Sequence, residues 1–289
     1  MSGMIPRHFL GCGAELEPAK IVVFGAPFDG TVTFRPGARF APARMREDSW
    51  GMETYSPYMD LDLEDLRVHD AGDLDLPFGD TVAVLSRIEA QVAKVLAAGK
   101  RPFMLGGEHL VTLPAISAFV KLPEYRDLCI LHLDAHTDLR EEYLGSALSH
   151  STVMRQIWRL TGDGRIWQLG IRSGLREEFH WAGEGHTTLY RFDLNGMEAA
   201  VKAIGARPVY LTVDLDVLDP SLFSGTGTPE AGGVSFQQLA EALTLMRGLD
   251  IAGADAVELS PHYDPSGVST AVACKVMREM LLVMGAEAV

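Results

Sequence analysis

Cysteine is scarce in this chain: three in 289 residues, Cys12, Cys129 and Cys274, far apart and in no ligand-like spacing. That excludes a disulfide-stapled scaffold and a thiolate metal site, and it fits free thiols in a reducing compartment. Positive charge is also in short supply, with 25 Lys and Arg against 39 Asp and Glu and a formal net charge of −14. Such a surface repels nucleic acid and anionic membranes and suits cationic partners, bound cations among them. No apolar run approaches the roughly 18 residues that a membrane-spanning helix needs. The opening stretch MSGMIPRHFLGCG has no long apolar segment behind a basic start, so it does not read as an export signal. A soluble cytoplasmic protein, with no nucleic-acid or membrane partner, is expected.

What is present reads as an ordinary globular chain, 47% apolar and 22% charged, long enough for a substantial core. No repeat, linker or low-complexity tract divides it, so residues 1–289 read as one domain. Short apolar runs begin at 20 (KIVVFGAP), 66 (LRVHDAG), 101 (RPFMLGG), 128 (LCILHLDAH), 165 (RIWQLGI), 187 (TTLYRF), 208 (PVYLTVDLD) and 252 (AGADAVELS). Helical periodicity fills the gaps, most clearly at 80–98, 235–247 and 268–284. The runs lack polar alternation, as strands buried on both faces of a parallel sheet do. Strand and helix in turn predict βαβ units and an open, doubly wound α/β sheet.

Acids and imidazoles collect where these runs end. His109 follows FMLGGE, Asp134, His136 and Asp138 follow CILHL, Asp214 and Asp216 follow VYLTV, and Glu258 closes ADAV. Ligands of open α/β sheets bind beyond the carboxyl ends of strands, so four strands would deliver these groups to one edge. Alternate residues of an extended segment share a face, which puts Asp134, His136 and Asp138 together, and likewise Asp214 and Asp216. Carboxylates crowded in this way need a positive partner. An oxygen-rich set with some histidine suits a hard or borderline divalent ion, Mn²⁺ being the natural candidate. Four negative charges balance two such ions, and two ions sharing a water would lower its pKa to give a hydroxide nucleophile at neutral pH.

Blander roles exist for each residue taken singly. An Asp after a strand is often a helix N-cap. Asp219, before Pro220, reads as a turn residue. His132, in phase with Asp134, reads equally as a core histidine or as a support for the site. The loop SGTGTPEAGG (224–233) lacks the GK[ST] ending of a phosphate-binding loop, and its glycines and Pro229 read as a tight turn bordering a pocket. Methionines in the C-terminal MREMLLVMGAEAV read as core filling. N-caps, however, do not call for DxHxD and DxD on separate strand ends.

The ordered set GAPFDG, RPGAR, GGEH, DAHTD, SH before a helix, DLDVLDP, VELSP and YDPSGVSTAVACKVM resembles the ureohydrolase family of arginases and agmatinases over nearly the whole chain. The segment DAHTDLREEYLGSALSHST looks most like the bacterial agmatinase branch. The resemblance implies a three-layer α/β/α sandwich on an eight-stranded, mainly parallel sheet, two Mn²⁺ per chain and a homo-oligomer, a trimer or hexamer. It implies His109, Asp134, Asp138 and Asp214 around one ion and Asp134, His136, Asp214 and Asp216 around the other, with Asp134 and Asp214 as bridges. Asp138, His150 and Glu258 take the catalytic roles: orienting the hydroxide, moving protons and holding the substrate guanidinium. GGEH stands where many relatives have GGDH, with little consequence expected at Glu108, and SHST replaces SHGT, placing the Ser151 side chain beside His150. The reaction implied is hydrolysis of agmatine, a small cationic guanidino compound, to the polyamine precursor putrescine and urea. Its rivals are guanidinobutyrase, arginase and formimidoylglutamase within the family, and a binuclear phosphoesterase or a non-catalytic metal-binding protein outside it. A phosphoesterase would want cations near the metals, and Arg140 is the sole candidate.

Overall fold

The computed structural model describes residues 8–286. Residues 1–7, part of the stretch read as carrying no export signal, and 287–289, the end of the stretch MREMLLVMGAEAV, lie outside the described residues. Among the described residues, ten strands and eight α-helices follow one another. The strands are β1 (Ile21–Gly25), β2 (Tyr55–Ser56), β3 (Leu61–Asp62), β4 (Val68–Asp73), β5 (Arg101–Leu105), β6 (Cys129–Leu133), β7 (Ile166–Ile171), β8 (Thr188–Arg191), β9 (Val209–Asp214) and β10 (Ile251–Val257). The helices are α1 (Ala41–Asp48), α2 (Thr81–Ala97), α3 (Thr112–Val120), α4 (Val153–Thr161), α5 (Arg176–Trp181), α6 (Met197–Ile204), α7 (Phe236–Leu245) and α8 (Val268–Gly285). Each of the eight apolar runs contributes one strand to a single sheet, in the order β4-β1-β5-β10-β9-β6-β7-β8. Every pairing in it is parallel. The short β2–β3 pair is a separate antiparallel hairpin.

The absence of polar alternation has its cause in the two cores. Ile21, Phe103, Leu131, Leu211 and Ala254 pack with α1, α6, α7 and α8 on one face. Their neighbours Phe24, Met104, Ile130 and Tyr210 pack with α2, α3 and α4 on the other. Both side-chain directions of the central strands are therefore desolvated, and the result is the three-layer α/β/α sandwich. Local chemistry agrees with this packing. Asp80 caps α2 by accepting from the Ala83 amide, and Ser235 and Gln238 close a capping box at α7.

Because the strands are parallel, all their carboxyl ends lie along one edge of the sheet. The four that precede the acid and imidazole motifs, β5, β10, β9 and β6, are consecutive in the sheet and form its centre. The motifs thus converge through topology, although they are spread over 150 positions of the chain, from His109 to Glu258. One detail departs from the expectation of alternation along a strand. β6 ends at Leu133, so Asp134–Asp138 lie beyond it, held extended by a bridge between His136 and Ser173 until Asp138 turns into left-handed backbone at φ 51°.

The edge strand β4 is fastened by charge. Arg46 of α1 is buried and reaches both oxygens of Asp70, Nε to Oδ2 at 2.7 Å and Nη2 to Oδ1 at 2.9 Å, and also pairs with Asp73. Arg46→Ala would leave Asp70 buried without its partner, so a loss of about 3–5 kcal/mol in urea unfolding is expected. A loss below about 1 kcal/mol would show that water replaces the guanidinium at no cost.

Candidate metal and active site

The turn after β5 brings His109 into position. Glycine is required at 107, where an added Cβ would lie 1.8 Å from the Phe28 carbonyl oxygen. The Glu108 amide donates to that same carbonyl, and the Gly107 carbonyl accepts from Glu258 N at 2.9 Å. Glu258 returns the contact, its Oε1 accepting from His109 N at 2.9 Å. The β5 and β10 ends are thereby locked together, with Glu258 held in left-handed backbone at φ 67°.

Inside this frame the proposed ligands crowd one another. His109 Nδ1 lies 3.1 Å from Asp134 Oδ2, 3.2 Å from Asp214 Oδ2 and 3.5 Å from Asp138 Oδ2. His136 Nδ1 lies 3.0 Å from Asp216 Oδ2 and 3.5 Å from Asp134 Oδ1. The donors form two overlapping groups, His109, His132, Asp134 and Asp138 in one and Asp134, His136 and Asp216 in the other, and Asp134 belongs to both. Asp214 faces the first group through His109. All six sequence candidates therefore come together, and backbone amides hold several in place. Asp134 Oδ1 accepts from His136 N at 2.5 Å, Asp214 Oδ1 from Asp216 N at 2.9 Å and Asp216 Oδ1 from Ala135 N at 3.2 Å.

Charge is badly balanced here. Burial, reinforced by Asp134, pushes Asp138 well above the usual carboxylate range, and burial with Asp216 and Asp134 does the same to Asp214. Burial opposes a charged His109 and His136, but the surrounding carboxylates outweigh it and hold both well above the ordinary histidine value. Asp134 goes the other way: the histidines around it overcome its burial and keep it well below the usual range. Among the described residues, the buried His109 Nδ1 has no hydrogen-bond partner. A ring nitrogen aimed at carboxylate oxygens, with imidazole and oxygen donors around it, is chemistry that fits a divalent cation.

His132 is close enough to be counted among the donors, but its ring is engaged. Gln168 Nε2 lies 3.1 Å from His132 Nδ1 and donates to the Thr137 carbonyl, while Gln168 Oε1 accepts from Thr187, which fixes the amide's orientation. His132 Nδ1 must then accept, so Nε2 carries the proton and donates to Asp134 Oδ2 at 2.7 Å. In this arrangement it steers a carboxylate.

Above the cage is a cavity of about 340 Å³ lined by His109, His136, Asp138, Asp214 and Glu258 below and by Thr33, Phe34, Arg140, Tyr143, His150, Ser151, Ser173 and Thr228 around the rim. Burial pushes Glu258 up to about 7 and His150 down to about 4. The SHST turn is well made, because Ser149 and Thr152 form a capping box before α4, and Ser151 both lines the cavity and accepts the Arg140 amide. Glu108, expected to matter little, is buried and accepts from the Thr31 amide at 3.0 Å and hydroxyl at 2.6 Å. Thr31 Oγ1 in turn accepts from His150 N at 3.1 Å. Glu108 therefore reaches the His150 loop through Thr31. Asp219 is a turn residue as expected, accepting from Ser221, Gly232 and Gly233 amides. Of the acids beside Arg140, Glu141 is drawn away to Arg155 at 2.7 Å, and the Arg140 guanidinium lies over the Tyr143 ring at 4.5 Å.

A model of the arginase family matches residues 19–283. An agmatinase from Bacillus anthracis is 47% identical over 279 residues, which cover 96% of this chain and 96% of that one. Among solved structures, the agmatine ureohydrolase of Thermoplasma volcanium superposes with a TM-score of 0.88 at 33% identity, covering 98% of this chain and 96% of the other. The proclavaminate amidino hydrolase from Streptomyces clavuligerus superposes at 0.90 with 28% identity, covering 98% of each chain.

A cage built for cations should be stabilised by them. Adding Mn²⁺ to the metal-free chain at a hundred times its dissociation constant is expected to contribute about 2.7 kcal/mol and to raise the melting temperature accordingly. Asp134→Asn, which alters the carboxylate common to both donor groups, should lose more of that rise than Asp138→Asn. A melting temperature indifferent to Mn²⁺, or equal losses in the two variants, would count against this reading of the cage.

Proposed function

The chain belongs to the arginase family, and from that premise we propose that it hydrolyses agmatine to putrescine and urea with the help of two Mn²⁺ ions. The observation that carries the reading is the pairing of two carboxylate–imidazole groups through Asp134, of which His109, His136 and Asp138 line a cavity that Glu258 also faces. His109, Asp134, Asp138 and Asp214 would hold one ion, and Asp134, His136, Asp214 and Asp216 the other. When bound, the ions supply Lewis acidity and acidify the attacking water toward neutrality.

The remaining work falls to the chain's own residues. A guanidinium carbon is a poor electrophile because resonance spreads its charge over three nitrogens, so attack depends on alignment. Positioning alone can remove up to about 7–11 kcal/mol of a barrier in favourable cases. Glu258 supplies alignment for the substrate. His109 N occupies one lone pair of Oε1 and leaves Oε2 and the other lone pair for two N–H groups of the planar cation. Asp138, on the cavity floor, accepts a hydrogen bond from the attacking water and aims it. His150 is uncharged at neutral pH, since burial pushes it down to about 4. It takes a proton as the attack proceeds and readily returns it to the departing amine.

The rim decides the tail. Among the described residues Arg140 has no carboxylate within ion-pairing distance, and it is the one Lys or Arg lining the cavity. This observation favours a second reading within the family, in which Arg140 anchors the carboxylate of a guanidino acid. Whole-length likeness to agmatinases supports agmatine instead. A phosphoesterase is disfavoured because Glu258 and the crowded aspartates would face a phosphate with a single arginine to offset them.

Urea release measured side by side on agmatine, arginine and guanidinobutyrate decides among these. The expected result is a kcat/KM for agmatine well above both, and preference for either carboxylate-bearing compound would replace agmatine as the substrate. His150→Ala is expected to cost about 10²–10⁴ in turnover with bound metal unchanged. Glu258→Gln, losing a charge-assisted contact of about 1.5–3 kcal/mol, should lower kcat/KM about 10- to 100-fold. Unaltered turnover in His150→Ala across the pH range would remove histidine from proton transfer.

A further inference from the structure

Four polar side chains interrupt the apolar interiors of neighbouring strands: Asp255 in β10, Thr212 in β9, His132 in β6 and Gln168 in β7, all fully buried. They are register partners, Asp255 beside Thr212, Thr212 beside His132 and His132 beside Gln168, and so form one row across the sheet. The row lies two residues before Asp134 and Asp214. Its His132–Gln168 half steers Asp134. The other half ends on His109, whose Nε2 is 2.9 Å from Thr212 Oγ1, which is 2.6 Å from Asp255 Oδ1. The second oxygen of Asp255 accepts from the hydroxyls of Tyr210 and Thr112, each at 2.8 Å.

Thr212 has one hydroxyl proton and two neighbours that want it. Directed at Asp255, the proton leaves an Oγ1 lone pair free to accept from His109 Nε2–H. Directed at His109, it would leave two oxygens with lone pairs facing each other across 2.6 Å. We propose that Asp255, acting through Thr212, keeps a proton on His109 Nε2 and so reserves Nδ1, which faces the acid cage, as the nitrogen that can donate to a cation. Nδ1 is a buried atom that finds no hydrogen-bond partner among the described residues. Asp255 is then a positioning residue: it touches neither cavity nor ligand cage, yet decides which imidazole nitrogen can donate to a cation. A carboxylate that sets a histidine tautomer in this way is an established device in serine proteases, where amide replacement presents the wrong nitrogen.

This inference rests on the metal reading above, and Mn²⁺ binding to the metal-free full-length chain tests it without recourse to activity. Free Mn²⁺ is followed by its paramagnetic resonance signal, and melting temperature is recorded in parallel. Asp255→Asn replaces an acceptor with an amide that donates to Thr212, which turns the hydroxyl toward His109 and moves the ring proton to Nδ1. At least one Mn²⁺ binding step should weaken about 10- to 100-fold, the range typical when the partner of a ligating histidine is lost. Should Asp255→Asn fail to fold, Thr212→Val and Thr212→Ser carry the test. Valine removes the acceptor and is expected to weaken Mn²⁺ binding over the same range, whereas serine keeps it and should bind like the parent. Parent-like affinity in Asp255→Asn or Thr212→Val, with or without a loss of metal-free stability, overturns the relay and leaves the metal reading standing. A parent chain that takes up no Mn²⁺ overturns both.

Discussion

Mutual repulsion among carboxylates at the centre of the sheet's carboxyl edge is the constraint that the rest of the structure serves. Two like charges about 4 Å apart cost about 4 kcal/mol at an effective dielectric constant of 20, and here several such pairs are stacked together. Folding succeeds because three of the four aspartates are met by fixed donors. Asp134 receives the His136 amide and the His132 ring, Asp214 the Asp216 amide, and Asp216 the Ala135 amide. The pattern of shifts follows from this unequal service: Asp134, ringed by three histidines, stays ionised, while Asp138 and Asp214 are driven toward their neutral forms. Protein dipoles can hold such a cage, but they do not neutralise it.

Backbone strain marks the same place. Asp138 and Glu258 sit in left-handed conformation at φ 51° and 67°, a region costing on the order of 1–2 kcal/mol for a side-chain-bearing residue. Both are held there by surrounding contacts. The Asp138 carbonyl accepts from Met154 and Arg155 at the start of α4, and Glu258 is tied at its amide to Gly107 and at its carboxylate to His109. A strand that simply continued would carry these acids past the cage. The turn aims them inward, and the helix start and the glycine turn are what prevent its relaxation.

The strands were legible because burial on both faces strips polar alternation from the centre of a parallel sheet, and eight apolar runs became eight strands with only their ends shifted. The metal donors were legible because two close-spaced clusters, DxHxD and DxD, follow such runs. The residues that orient those donors were not. Glu108 meets Thr31 across 77 positions of sequence, and Asp255 meets Thr212 across 43. No local spacing encodes either contact. A signal was nevertheless present in the strands themselves. Where both faces are desolvated, a lone Thr, Asp, His or Gln inside an apolar run must find a partner, and polar residues of the adjacent strands are the ones that lie beside it. Read in that way, VYLTVD, GADAV, CILHL and IWQLG each announce one member of a row, although the strand order needed to assemble it comes only from the fold.

Floor and rim of the cavity are built on different principles, and this separates chemistry from selectivity. Floor groups are fixed by the sheet, so their positions depend on strand register and change only if the core changes. Rim groups ride on connecting segments: Thr33 and Phe34 follow β1, and Arg140 and Tyr143 precede the capping box of α4. Their charges are set by local partners. Glu141 is neutralised by Arg155, itself stacked on Trp181 at 3.7 Å, and this leaves Arg140 on the Tyr143 face instead of in a carboxylate pair. A guanidinium spread over an aromatic ring presents its edge N–H groups to the cavity mouth while its face is occupied. Altering the pairing of Glu141 would therefore change the charge seen by a substrate tail without moving a single donor of the floor.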